Sequence, residues 1–250
     1  MKVSIITVCR NSEATIEAAI CSVLEQDYKN IEFIVIDGKS TDKTFYIIEK
    51  YKAKIFKIIS EQDEGMYFAI NKGINTATGD VVGILNSDDF YANEKIISRV
   101  VKEFETKETD SVYGDLQYLS RENPKKIIRH WKSNPYNAKL FLKGWMPPHP
   151  TFFLMRKWYE QFGNFNTSFS ISADYELMLR FLYKHKITSS YIPEVLVRMR
   201  TGGISNVTYK SRIKANKEDR LAWKINGLKP APFTLILKPL SKLRQYLPLP

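Results

Sequence analysis

The chain has 250 residues, room for one large α/β domain or a domain with a tail, and enough to bury a core without disulfides or a structural metal. Apolar residues make up 44% and charged residues 26%, which excludes wholesale disorder. The formal charge of +11 invites a nucleic-acid reading, but the charge is segregated. Residues 1–120 hold 14 Lys/Arg against 20 Asp/Glu, residues 121–160 hold 9 against 2, and residues 200–250 hold 11 against 2. A nucleic-acid binder needs a continuous cationic face, and the acidic first half argues against one. Cys9 and Cys21 cannot build a disulfide framework. Both read as buried packing residues of a cytoplasmic protein. The opening MKVSIITVCRN is too short to span a membrane and lacks a signal peptide's long apolar region and cleavage site.

Short β-branched runs alternate with helical patterns through the first hundred residues. Val3–Val8, Ile31–Ile36, Ile55–Ser60 and Val81–Leu85 read as buried strands. Helices are expected over about 14–26, 42–52, 65–77 and 93–105. That alternation predicts a parallel sheet with right-handed crossovers. Further on, Ser111–Tyr118 and Ile127–Trp131 are expected as antiparallel strands covering one edge. A stiff loop, GWMPPHP, precedes a strand over Thr151–Met155. Asp174–His185 has helical spacing, and Val195–Met199 is expected as a last strand. A basic helical stretch and a Pro-punctuated, Leu-rich tail follow.

In open parallel sheets, ligands bind outside the carboxyl ends of the strands. Those ends carry Thr7 to Asn11, then Asp37 with GKSTDKT, then Glu61 to Gly65, then Asn86-Ser87-Asp88-Asp89. Taken singly, each is also an ordinary turn or helix cap. Together they gather carboxylates whose repulsion calls for a balancing cation or a hydrogen-bonding ligand. There is no GxGxxG after the first strand and no GxxxxGK[ST], so neither a dinucleotide fold nor a P-loop is expected. An acidic pair after a buried strand suits a hard divalent ion that also binds a diphosphate.

Three ordered segments carry a resemblance. VSIITVCRNSEATIEAAICSVLEQDYKNIEFIVIDGKSTDKT is similar to the opening of family 2 glycosyltransferases. EQDEGMYFAINKGINTATGDVVGILNSDDFY resembles the approach to their Asp-x-Asp motif, and SADYELMLRFL resembles their catalytic-base segment. The overall pattern resembles the bacterial cell-surface polysaccharide members of colanic-acid type.

The resemblance implies an α/β GT-A (Rossmann-like) fold, a mixed, mainly parallel sheet flanked by helices, with a basic helical C-terminal tail. It divides the chain into a catalytic domain over 1–205, with a nucleotide-sugar half at 1–110 and an acceptor half at 111–205, and a tail over 206–250. It implies inverting transfer from a nucleotide-diphosphate sugar, with a UDP-sugar favoured, to a glycan or polyprenyl-diphosphate-linked acceptor. The nucleotide-sugar positions it implies are Thr7, Arg10, Asp37, Asp63, Lys72, Asn86, Ser87 and Asp88. Asp88 and Asp89 would hold Mn²⁺ or Mg²⁺, although Asn86 stands where the family usually has an acid. Asp174 would be the general base, though a helix-starting Asp is also an ordinary cap. Trp145 and His149 would shape an acceptor or diphosphate pocket. Arg200 to Ser205, with Gly202 and Gly203, resembles a loop that closes over the donor.

In the tail, Ile236, Leu240, Leu243 and Leu247 recur at helical spacing beside Lys238, Lys242 and Arg244. That pattern suggests a helix lying on the cytoplasmic face of the inner membrane, or else one packed on the domain. The rival readings are a sugar nucleotidyltransferase, which would carry a Gly-rich basic loop after the first strand, and a non-catalytic glycan- or nucleic-acid-binding protein.

Overall fold

The computed structural model describes residues 1–201 and 209–241, of which 209, 210, 212 and 239–241 are described by backbone alone. The expected parallel sheet forms. Strands β1 (Val3–Cys9), β2 (Ile31–Asp37), β3 (Lys57–Ser60) and β4 (Val81–Ile84) lie side by side in the order 3-2-1-4. Each is followed by a helix or a turn leading to one: α1 (Ile16–Leu24), α2 (Thr44–Lys50), α3 (Met66–Thr76) and α4 (Ile96–Lys107). Strand β1 is buried along its whole length because both faces are covered. Ile6 and Val8 face a core built with α3, and Val3, Ile5 and Cys9 face one built with α1 and α4. Helix α3 approaches β1 closely at Gly73, where a Cβ would stand 2.4 Å from Ile6.

The sheet continues past β4 through antiparallel β8 (Phe153–Met155) to β6 (Ser111–Leu119), β9 (Ser189–Arg200) and β5 (Asp89–Tyr91). Two expectations are corrected here. β6 is an interior strand that runs parallel to β9, and only β7 (Ile127–Trp131) pairs with it in hairpin fashion. The Asp88-Asp89 segment is not simply a loop, since Asp89 opens the edge strand β5 opposite Met199. Strand β9 also begins six residues before the expected Val195, because pairing with β6 holds Ser189–Tyr191 extended.

Helix α5 (Arg156–Phe162) and a 3₁₀ turn over Ala138–Lys143 were not legible in the periodicity. Helix α6 (Ala173–Met178) runs on into a π-helical turn over Leu179–Lys184. Cys9 is buried as expected, but Cys21 is only half-buried, its thiol 3.6 Å from the Tyr51 hydroxyl.

The chain ends in α7 (Tyr209–Ile225) and α8 (Thr234–Ser241). Ala222 and Trp223 of α7 are buried against α6. Leu243, Leu247, Lys242 and Arg244 lie outside the described residues, as do Gly202 and Gly203. Among the described residues, no helix is long and apolar enough to cross a membrane.

Candidate active site

The first four strands deliver their polar residues to one rim. Asp37 closes β2 and is wholly buried. Its carboxylate accepts hydrogen bonds from Ser60 Oγ at 2.6 Å, at the end of β3, and from the Ser40 hydroxyl and amide in the following turn. The Gly38 amide donates to the Cys9 carbonyl at 2.8 Å, locking that turn to the end of β1. Arg10 stands exposed beside it, its side-chain carbons 3.5 Å from where a Gly38 Cβ would sit. Thr7 is buried one turn of pleat inside β1, and its Oγ1 has no partner.

Lys72 reaches from α3 to Asp63 at 2.6 Å and Glu61 at 2.5 Å, beyond the end of β3. Burial alone would lower the Lys72 ammonium, but the hydrogen bonds it donates to these two acids raise it above the usual lysine range. The second oxygen of Asp63 is buried and unpartnered.

The Asn86-Ser87-Asp88-Asp89 segment follows β4. Ser87 Oγ lies 2.9 Å from Ser12 Oγ and so ties this segment to the β1 turn. Asn86 Nδ2 donates to Asp89 Oδ2 at 3.0 Å, while Asp89 Oδ1 is buried with no partner. Asp89 is fully buried and Asp88 partly so. Burial pushes both carboxyls upward, and repulsion from Asp88 pushes Asp89 further. Arg200, at the end of β9, donates to the Asp88 carbonyl at 2.9 Å and lies over the Phe90 ring.

This donor set of carboxylate oxygens fits a hard divalent ion, and the orphaned Asp89 oxygen and raised carboxyls show negative charge held without enough compensation. Among the described residues, no three acidic, His or Cys side chains converge to cage an ion. The protein therefore offers at most part of a coordination shell, which a ligand such as a diphosphate would have to complete.

A second group, from the far half of the chain, packs on α3. Asp174 lies in the first turn of α6, half-exposed, with Oδ1 accepting the Tyr175 amide at 2.8 Å. His149, from the GWMPPHP loop, interacts electrostatically with Asp174. Burial pushes its imidazole below the usual histidine range, against the opposing pull of Asp174. Tyr67 of α3 donates to the Ile171 carbonyl at 2.8 Å and stacks on Phe165. Asn71 clamps the Phe165 backbone through both its carbonyl and its amide. These contacts bring the Asp174 segment to the helix that starts at the carboxyl end of β3. Trp145 stands half-buried, edge-on to Tyr113 and Phe141, with its indole N–H unpartnered.

Glu218 of α7 gave no signal in the sequence. It accepts hydrogen bonds from the amides of Ser170, Ile171 and Ser172 and from the Ser170 hydroxyl, at 2.8–3.1 Å. Burial alone would raise its carboxyl, but these donors hold it below the usual glutamate range. The loop that leads into Asp174 is thus pinned by the C-terminal helix. Trp223 Nε1, which donates to the Tyr175 hydroxyl at 2.9 Å, and Asn226, which donates to Glu176 at 3.0 Å, pin α6 itself. An acid on a basic helix has no periodicity to mark it, because its partners lie about 46 residues away.

The sequence model of the family described as Glycosyl transferase family 2 matches residues 4–171. The chain is 31% identical over 217 residues to the Escherichia coli UDP-Glc:alpha-D-GlcNAc-diphosphoundecaprenol beta-1,3-glucosyltransferase WfaP, covering 85% of this chain and 83% of that one. Its fold is similar to Staphylococcus aureus TarS 1–349 in complex with UDP-GlcNAc, with a TM-score of 0.74 and 18% identity over 95% of this chain and 69% of that one. It is also similar to the Pyrobaculum calidifontis mannosyltransferase PcManGT in complex with GDP-Man and Mn²⁺, with a TM-score of 0.66 and 20% identity over 97% and 69%. With its acidic rim at the strand ends of a mixed, mainly parallel sheet, the chain belongs to glycosyl transferase family 2 and has the GT-A fold.

Proposed function

We propose that the protein transfers a glycosyl unit, with inversion, from a nucleotide-diphosphate sugar to a hydroxyl of a lipid-linked or glycan acceptor, and that Asp174 is the general base. The observation that carries this reading is the meeting of two halves. Tyr67, at the start of α3 just beyond Asp63, donates to the Ile171 carbonyl and interacts electrostatically with Asp174, as His149 does, which brings the Asp174 segment to the helix that follows the β3 end of the rim. The likeness to an enzyme whose name gives UDP-glucose and a diphosphoundecaprenol-linked sugar supports the donor and acceptor classes.

In this reading Asp37 and Arg10 hold the nucleoside, and Lys72 orients Asp63 beside it. Asp88 would hold a Mg²⁺ or Mn²⁺ ion with Asp89 behind it, and such an ion would offset the negative charge of the diphosphate as it leaves. The acceptor hydroxyl attacks the anomeric carbon from the face opposite the diphosphate. A carbon–oxygen bond forms there while the bond from that carbon to the diphosphate oxygen breaks. The hydroxyl proton passes to the Asp174 carboxylate. His149, whose imidazole burial favours in the neutral form and which interacts electrostatically with Asp174, would be a weak competitor for that proton. Arg200 fixes the backbone of the Asp88 segment at the start of the loop that would close over the donor.

Asp174→Asn tests the assignment. Transfer from UDP-glucose or UDP-GlcNAc should fall at least ~10²–10⁴-fold. The thermal shift produced by the nucleotide sugar with Mn²⁺ should persist. Turnover close to wild type would remove Asp174 from the mechanism.

A further inference from the structure

A helix laid on a domain ordinarily buries its apolar side chains and shows its polar ones to water. The C-terminal helices do otherwise. At ~100° per residue, the inner arc of α7 carries Glu218, Asp219, Ala222 and Trp223, all buried, and buried Asn226 follows just past its end. Both acidic residues of the segment are therefore turned into the protein, where Glu218 holds the 170–172 loop and Asp219 pairs with Lys238 at 2.7 Å. The outer arc carries Lys214, Lys217, Arg220 and Lys224, interleaved with exposed Ile213, Leu221 and Ile225.

Helix α8 inverts the usual pattern more sharply. Its inward groups are polar. Thr234 is buried and donates to the Leu142 carbonyl, and Lys238 lies 3.5 Å from the centre of the Tyr175 ring. At Gly144 the α8 backbone comes so near that a Cβ would stand 2.5 Å from the Lys238 amide. What faces water is Phe233 (66% exposed), Ile236 (59%) and Leu237 (38%), while Leu235 packs partly on the core. Between residues 213 and 237 every solvent-facing charge is positive, Lys229 included, and six large apolar side chains stand exposed among them. Water alone gives no reason to present such a surface.

We propose that this face, the outer arc of α7 with Lys229 to Leu237, docks on an anionic lipid bilayer. Phosphodiester headgroups match the lysines and Arg220, and the acyl boundary accepts Phe233, Ile236 and Leu237. A nucleic acid would use the charge but would leave these aliphatic side chains in water. The benefit of docking rests on the proposed lipid-linked acceptor, but the geometry of the surface does not.

The experiment is co-sedimentation of the full chain with vesicles of phosphatidylcholine alone or mixed with phosphatidylglycerol, with no donor or acceptor present. Its failure is thus separate from a failure of the transfer reading, which the Asp174→Asn assay judges. The protein should pellet with the anionic vesicles and stay in solution with the neutral ones, and added salt should weaken the binding. Lys217→Glu/Arg220→Glu/Lys224→Glu and Phe233→Ser/Ile236→Ser/Leu237→Ser should each reduce partitioning about tenfold or more, with the nucleotide-sugar thermal shift unchanged. Should the serine variant fail to fold, the charge-reversal variant still decides. No pelleting with anionic vesicles, equal pelleting with both vesicle types, or wild-type partitioning by the folded charge-reversal variant would overturn the proposal. So would tRNA binding by this same face in place of vesicle binding.

Discussion

Glu32 and Asp89 are both buried carboxylates of one sheet, at opposite ends of the strands, and their surroundings differ completely. Glu32, near the amino end, accepts from the Lys2 ammonium, Ser4 Oγ at 2.8 Å, and the amide and hydroxyl of Thr78 at 2.7 and 2.5 Å. Burial alone would raise its carboxyl, yet these donors bring it down to about 2. Asp89, beyond the carboxyl end of β4, has one amide donor, an orphaned oxygen and a second carboxylate beside it. At the first end Glu32 is fully engaged in holding the fold. At the second Asp37 is engaged in the same way, but Asp89 is left short of partners, which is the condition of a site that binds something.

The contrast can be broken or sharpened by substitution. The largest stability effect is expected at Glu32→Ala, about 3–5 kcal/mol, because it leaves Lys2, Ser4 and Thr78 facing a buried gap. Donor binding by the remaining folded protein should be unchanged, and urea unfolding with a nucleotide-sugar titration reads both. The pH dependence has a definite sign. The folded carboxyl lies at about 2, below its unfolded range near 4.5, so its contribution is complete above ~4.5 and disappears as pH falls toward 2. The wild-type urea midpoint should fall across that window, and more steeply than that of Glu32→Ala.

Glu218→Gln comes next, at about 1–2 kcal/mol, since a neutral amide accepts fewer of the four donors that the carboxylate holds. The 170–172 loop should loosen and displace Asp174. A kcat lowered about tenfold with donor KM nearly constant would mark it as a positioning residue. A rise in KM alone would assign it to binding.

Asp89→Asn should be the mildest for stability, within about 1 kcal/mol and in either direction, because relief of repulsion from Asp88 offsets the new amide's unmet donors. The Mn²⁺-dependent part of the donor thermal shift should nonetheless be lost. A loss of stability as large as at Glu32 would show that Asp89 is structural, and the contrast between the two ends would fail.

Much of the acidic rim was legible. The runs Val3–Val8, Ile31–Ile36 and Val81–Leu85 are apolar without interruption, and only a strand covered on both faces needs that. Where such a run stops, a polar residue must stand at the carboxyl edge, so Asp37 and Asn86 to Asp89 could be placed by counting. β5 was missed because three residues carry no period, and its extension depends on pairing with β9. The interior place of β6 was missed for the same reason. SVYGDLQY reads alike as an edge or a central strand until its neighbours on both sides are known.

The C-terminal segment marks the division most plainly. Composition alone showed it to be basic and amphipathic, because charge and hydropathy are local properties of residues. Which way each face points depended on contacts made across the chain: Glu218 to Ser172, Asp219 to Lys238, Thr234 to Leu142. Those contacts turn the acids inward and leave the lysines and Phe233 outward. Sequence thus determined the parallel sheet, the acidic rim and the basic end. Tertiary structure decided that the segment leading into Asp174 comes to the start of α3 and that the basic end holds it there, because hydrogen bonds between distant residues have no local period from which to be read.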